Sequence, residues 1–303
     1  MDGLVFKDAN VATCLVFLAK EAVKEREFEW LRTVPDRLDG PYVLREYKHV
    51  EAEERFDITP ETDPKWIRIK AKMDEGSVRL DSLGRISLGM KLRSNAEYVS
   101  RSKDMRHPDP IWFGDDIARY GDLQPSRFFN AKLAVIVGGT KNPTVHAATP
   151  KILIQAIRNL SLKRRIVATL EKQGYHFVGT VNAFTQQDRT YNIRYILALL
   201  NSTLLNTYFT KRFTTISLTA AFLGVLPIRR IDLDNSAEMA VHDRIVRQVE
   251  AMLTMQGQLA ATKSDAQKDV IQRRIDATDS EIDKLVYALY GLTAEEIAIV
   301  EGE

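Results

Sequence analysis

Asn192-Ile-Arg-Tyr-Ile-Leu-Ala-Leu-Leu-Asn-Ser-Thr-Leu-Leu-Asn-Thr-Tyr-Phe-Thr-Lys211 decides how this chain is read. Ile193, Ile196, Leu197, Leu200, Leu204 and Tyr208 recur at three and four residues, the spacing that lines up one face of a helix. Before it, apolar residues come in short runs bounded by turn formers. Leu133-Ala-Val-Ile-Val137 ends at Gly138-Gly139, Lys151-Ile-Leu-Ile-Gln155 alternates in the manner of a half-buried strand, and Tyr175-His-Phe-Val178 is a third run. Pro227 and Arg229-Arg230 close the block. One clear helix behind a series of short strands predicts an α+β fold with a mixed, strand-rich middle.

Helical spacing returns after residue 236. Ile245, Val249, Met252 and Leu259 form one stripe, and Ile271, Ile275, Ile282, Leu285 and Leu289 another, separated by Ala260 to Ser264. This predicts an antiparallel helical hairpin over 236–303. Gly291 ends its second helix, and Thr293 with Glu296 three residues on predicts a capping box for a short final helix. In the other direction, the apolar run Val11–Leu18 has the length of a strand buried on both faces, and Phe28 to Val34 is a second strand. Residues 41–79 are polar and contain Pro41, Pro60 and Pro64; they read as a linker with Trp66–Lys70 as a short element. The expected organisation is therefore 1–40, 41–79, 80–231 and 236–303.

Charge is distributed unevenly along this plan. The 303 residues carry a formal charge of only +2. Residues 80–230 nevertheless hold 22 Lys and Arg against 9 Asp and Glu, a block of +13 between flanks that together are −11. Fifteen of the 25 aromatic residues lie in the same block. Cations interleaved with flat side chains are the footprint of nucleic-acid binding; the alternative is a solvated basic surface over an aromatic core. Lys91, Arg93, Arg101, Lys103, Lys163, Arg164, Arg165, Lys211 and Arg212 are the phosphate candidates, and Gln186, Gln187 and Arg189, in a polar turn, the base-reading candidates.

Motifs for chemistry are missing from what the chain presents. Gly138-Gly139 lacks the spacing that cradles a nucleotide, and Asn142-Pro143 is followed by Thr144, not by a Pro-aromatic pair. There is no P-loop, and His107, His146, His176 and His242 are not spaced as zinc ligands with acids. Asp57, Asp63, Lys70 and Lys72 are the residues on which a short nuclease-like pattern would have to rest. Catalytic and metal-binding residues are expected to be none. Cys14, the single cysteine, excludes an internal disulfide. No run approaches the roughly 20 apolar residues of a membrane span, and the opening residues lack a signal-peptide pattern, so a cytoplasmic setting is expected.

The middle block resembles the TaqI-like C-terminal specificity domain, the target-recognition region of adenine-specific DNA methyltransferases and of fused, type IIG restriction-modification enzymes. Ile86-Ser-Leu-Gly-Met90 with Tyr98-Val99 is similar to its opening strand and turn, although Lys91-Leu92 stands where a small pair is expected. Phe113-Gly-Asp-Asp-Ile-Ala-Arg-Tyr120 resembles its Gly-x-Asp-Ile-x-x-Tyr signature, and Pro150-Lys-Ile-Leu-Ile154 its Pro-Lys-Ile strand. Leu199-Leu-Asn-Ser202 through Tyr208, then Leu226-Pro-Ile228, resembles its leucine-Asn-Ser helix and closing Leu-Pro. Ile282 to Ile297 is similar to the tail of such enzymes. Val5-Phe-Lys-Asp-Ala9 and the strand after it resemble the last strands of a methyltransferase sheet. The resemblance implies binding to double-stranded DNA, with base flipping delivering adenine to a catalytic half. S-adenosylmethionine would be bound by that half and no cofactor by this chain. A separate methyltransferase catalytic subunit is the implied partner, leaving a split-gene subunit and a truncated remnant as alternatives. A protein-interaction module built on the C-terminal hairpin is a further alternative.

Overall fold

The computed structural model describes residues 27–31, 44–48 and 64–302. The chain divides into two units, residues 1–62 and 63–303. In the first, Glu27–Leu31 pairs antiparallel with Leu44–Lys48, Glu27 facing Lys48 and Leu31 facing Leu44. The strand expected over Phe28–Val34 is this Glu27–Leu31 strand; Val11–Leu18, Cys14, Asp57 and Asp63 lie outside the described residues.

The second unit is built on the strand Lys151–Gln155. It lies inside an antiparallel four-stranded sheet between Ala168–Glu171 and Val181–Gln186, with Gly84–Leu88 at the far edge. Its alternation predicts one wet face, but Lys151, Ile152, Leu153 and Ile154 are all buried. Both faces of the sheet are covered. Ile152 and Ile154 join the core made with Ile196, Leu197 and Leu200, while Leu153 points into a second cluster with Trp112, Phe177 and Val181. Asp109–Trp112 belongs to a smaller mixed sheet, paired in parallel with His176–Phe177 and antiparallel with Phe128–Phe129, which in turn pairs with Val99–Ser100. A third cluster, including Met90, Leu92, Ile111 and Phe129, packs against the two-stranded ribbon Lys91–Leu92/Ile136–Gly138.

The helix expected over 192–211 is two helices, Ile193–Asn201 and Thr203–Arg212. Ser202 leaves the helical region at φ −64° and ψ 153°, and its Oγ accepts from the Leu205 amide at 3.2 Å, so the same residue ends one helix and caps the next. Pro64–Asp74, in the stretch expected to be linker, forms a helix with Trp66, Ile69 and Met73 buried, the i, i+3, i+7 spacing of one helical face. The C-terminal hairpin forms as Ser236–Ala261 and Asp265–Leu289, followed by Ala294–Glu301 with the Thr293/Glu296 capping box. The stripe Ile245, Val249 and Met252 is buried in the same core as Ile196 and Leu200, so the face an interaction module would offer a partner is engaged internally. The whole is α+β. No helix among the described residues is long and apolar enough to cross a membrane.

His146, on the short helix Pro143–Ala147, is 2% exposed, with Nε2 3.2 Å from the Thr140 carbonyl and its ring 5.1 Å from that of His176. Burial pushes its pKa down to about 4 from 6.5, and burial lowers that of His176 as well. A folded-state pKa below the unfolded value makes the unfolded chain bind the extra proton. Stability from this group is therefore complete above pH 6.5 and lost as pH falls toward 4. His146→Gln is expected to make the fall in stability over that window shallower by up to roughly 2–3 kcal/mol, measured as urea midpoints at successive pH values.

Candidate nucleic-acid interface

The basic block separates into cations that hold the fold together and cations that face solvent. Arg165 is 1% exposed; its guanidinium donates to the Thr215 carbonyl and lies 5.8 Å from the Phe209 ring. It is not a phosphate contact, because no phosphate can reach it without unpacking that core. Arg164 donates to the Asn201 carbonyl at 3.0 Å and lies 3.7 and 3.6 Å from Asp279 and Asp283. It bridges the Asn201 helix end to the hairpin, and its charge is already matched there, so it too leaves the phosphate set. Lys211 stands over the Trp66 ring, and Arg212 donates to the Tyr208 hydroxyl at 2.8 Å; both are tied to the end of their helix. Arg119, inside the Gly-x-Asp-Ile-x-x-Tyr motif, has the same structural character: it donates to Asp279 at 2.8 Å and to the Asn201 carbonyl.

Solvent-facing cations gather between residues 85 and 141. Lys91 and Arg93 are exposed on and just after the first ribbon strand, and Lys132 and Lys141 stand beyond the two ends of the second. Arg101, Lys103 and Arg106 are exposed on the loop that joins Val99–Ser100 to Asp109–Trp112. That loop is pre-shaped: Asp104 Oδ1 accepts from the amides of Arg106 and His107 at 2.8 and 2.7 Å, and those bonds hold its carboxyl below the usual range. Met105 at the tip is 99% exposed. Arg93 pairs with Glu97 at 3.1 Å, and its guanidinium donates to the Tyr98 hydroxyl. Lys91, Lys103, Arg106, Lys132 and Lys141 form no ion pair among the described residues. Arg106 is legible in the sequence as a further member of the local run of cations that holds Arg101 and Lys103. Lys132 and Lys141 are legible only once Leu133–Val137 is known to be at the surface.

The remaining candidates lie elsewhere. Lys163 is exposed on the loop before Ile166, and Gln187 and Arg189 are exposed in the turn after Val181–Gln186. Gln186 donates to the Tyr191 carbonyl at 2.7 Å and so closes that turn from inside, which removes it from the base readers. Lys70 and Lys72 pair with Asp74 and Glu296, each at 2.7 Å. No group of three His, Cys, Asp or Glu among the described residues is placed to hold a metal.

The motif residues position these surfaces. Gly114 donates to Thr180 Oγ1 at 2.9 Å, Asp116 accepts from the Phe113 amide at 2.8 Å, and Arg127 binds Asp115 and Asp116 while lying 4.5 Å from the Phe113 ring. Tyr120, which ends the same motif, is buried with φ 53°, and its amide donates to the Ala168 carbonyl. Gly139 has φ 70°, and a Cβ there would meet the Gly89 carbonyl oxygen at 1.8 Å. The glycine pair is thus the packed root of the ribbon. Packed against the Gly89 carbonyl, it leaves no room there for a nucleotide-like donor.

Residues 109–228 match the family described as the TaqI-like C-terminal specificity domain. Among solved structures, the chain is similar to the Type IIL restriction-modification enzyme MmeI in complex with DNA, at 11% identity and TM-score 0.45, over 91% of this chain and 41% of that one. It is similar to the HsdS subunit from Thermoanaerobacter tengcongensis at 15% identity and TM-score 0.37, over 75% and 49% of the two chains. It is also similar to the Type-I restriction-modification system S subunit from M. genitalium at 11% identity and TM-score 0.33, over 77% and 51%. The chain spans about half the length, or less, of these solved proteins. No curated protein matches it.

Proposed function

We propose, from the premise that this chain carries a TaqI-like C-terminal specificity domain over residues 109–228, that it recognises a target sequence in double-stranded DNA for a restriction-modification system. The observation that carries the reading is the solvent-facing set Lys91, Arg101, Lys103, Arg106, Lys132 and Lys141 on and beside that domain. Cations of this kind neutralise phosphates and set register on the duplex, and side chains that reach base edges supply sequence discrimination. Gln187 and Arg189 remain the base-reading candidates from the sequence, with Lys163 and Arg93 as further phosphate contacts. Chemistry on the recognised base would come from a methyltransferase catalytic subunit acting with this chain. Co-expression with such a subunit and assay of methyl transfer to the bound duplex tests that pairing.

Affinity measured against salt tests the central reading. Six phosphates at about −0.9 each give a slope of log K against log salt near −5, or roughly a thousandfold loss between 50 and 200 mM. Replacing Lys91, Arg101 and Lys103 together by alanine is expected to make the slope shallower by about 2.7. A flat salt response of the unaltered chain would sink the proposal.

A further inference from the structure

We propose that the exposed face of the ribbon Lys91–Leu92/Ile136–Gly138 enters the DNA major groove, where Val135 and Val137 read thymine methyl groups. This rests on the DNA reading above and names the element that does the reading. Leu133, Val135 and Val137 are 68%, 40% and 56% exposed, while Ala134 and Ile136 between them pack on the cluster of Met90, Leu92 and Phe129. A strand with one buried face ordinarily carries polar residues on the other. Scattered surface aliphatics need no account, but Val137 on the ribbon strand and Val135 just before it share one exposed face, with Leu133 on the preceding turn extending the apolar surface, and an apolar strand at the surface is an aggregation hazard unless something uses it.

Charge selects the occupant. Arg93 donates its amide to the Val135 carbonyl at 2.8 Å and Lys91 lies opposite Gly138, so both exposed cations flank the stripe. Lys132 and Lys141 bound its ends. The stripe is framed by positive charge, which suits a polyanion whose charged rims enclose methyl groups set among hydrogen-bonding edges. The major groove is such a surface: it admits a two-stranded ribbon, and thymine presents its methyl group there between the phosphate walls. The ribbon is also stiff at its root. Gly89 backs onto the Val178 carbonyl so closely that a Cβ would meet it at 2.2 Å, Gly139 backs onto Gly89, and the Thr140 amide donates to the Leu88 carbonyl at 2.9 Å. A register irregularity between Lys91 and Leu92 faces Val137, the device by which a bulge re-aims a side chain.

The test uses the full chain. Duplexes carrying a randomised core are selected for binding, and each thymine of the selected site is then replaced by deoxyuridine, which removes only the methyl group. The unaltered chain is expected to lose roughly fourfold in affinity for each methyl that it touches, the worth of one buried methyl group. Val135→Ser/Val137→Ser, which removes the methyl groups from two exposed positions, is expected to lose that sensitivity while keeping its salt slope and a cooperative melting transition. Equal sensitivity in the variant, or a selected site whose thymines can all be replaced without loss, overturns the inference while leaving DNA binding intact. Concentration-dependent self-association that the variant abolishes would assign the stripe to a second copy and would also overturn it. A flat salt response with no selected site is a different failure, that of the DNA reading itself.

Discussion

Lys151→Met is expected to lower the stability of the protein by about 3–5 kcal/mol, measured as the urea midpoint of tryptophan fluorescence. Lys151 and Glu171 are both fully buried, face each other across adjacent strands and are joined by a 2.5 Å bond. Burial pushes the Lys151 pKa down, and Glu171 opposes that shift. All three ammonium protons are used: one on Glu171 and the others on the carbonyls of His146 at 2.7 Å and Ala148 at 3.1 Å. Glu171 accepts in turn from the amides of Gln173 and Gly174. Methionine fills the volume but strands a buried carboxylate and two carbonyls, and an unpaired buried charge costs more than the intact pair contributes. Lys151→Met/Glu171→Leu removes both charges and is expected to be less destabilised than the sum of the single variants. A single variant within about 1 kcal/mol of the unaltered protein would show that water or a shifted turn replaces the lost partner.

Legibility follows the range of the interaction. The hairpin stripe and the Thr293/Glu296 box are local patterns, readable because helix period and capping act over a few residues. Lys151–Gln155 reads as half-buried because alternation reports one covered face, and the second cover, the Trp112 cluster, is assembled from residues distant in the chain. The break at Ser202 is hidden in the sequence because the apolar repeat runs straight through it. At the surface, net charge locates a basic block but cannot sort its members. Arg164 and Arg165 are adjacent to Lys163 in sequence, yet only Lys163 is fully exposed, because Asp279, Asp283 and the Thr215 carbonyl come to the other two from later in the chain.

Asn206→Leu is expected to destabilise the protein by roughly 2–5 kcal/mol, because it strands buried backbone groups in two directions. The Asn206 carboxamide oxygen accepts from the amides of Arg165 and Ile166, each at 2.8 Å, and its Nδ2 donates to the carbonyls of Leu200 and Ser202. Leucine has the same branching and heavy-atom count with bulkier methyl groups, so the loss reports hydrogen bonding and some crowding rather than a cavity. The neighbouring Asn201 plays the matching part, exchanging two bonds with the backbone of Ala168 at 3.0 and 2.9 Å. The break at Ser202 is what makes the arrangement work: an unbroken helix would claim the Asn201 carbonyl, which instead accepts from Arg119 and Arg164. Arg119 then reaches Asp279, and Asp283 accepts from Thr203, so one helix break joins the sheet, the helix pair and the hairpin. Asn206→Asp keeps the acceptor for the two 2.8 Å bonds but turns a second, charged oxygen toward the carbonyls of Leu200 and Ser202 unless that oxygen carries a proton. Its urea midpoint is therefore expected to lie close to that of Asn206→Leu at neutral pH and to rise relative to the unaltered chain as the pH falls toward about 5, where the protonated carboxyl restores a donor. A midpoint difference from the unaltered chain that does not change with pH would show that the donor bonds to Leu200 and Ser202 contribute little beside the contact with residues 165 and 166.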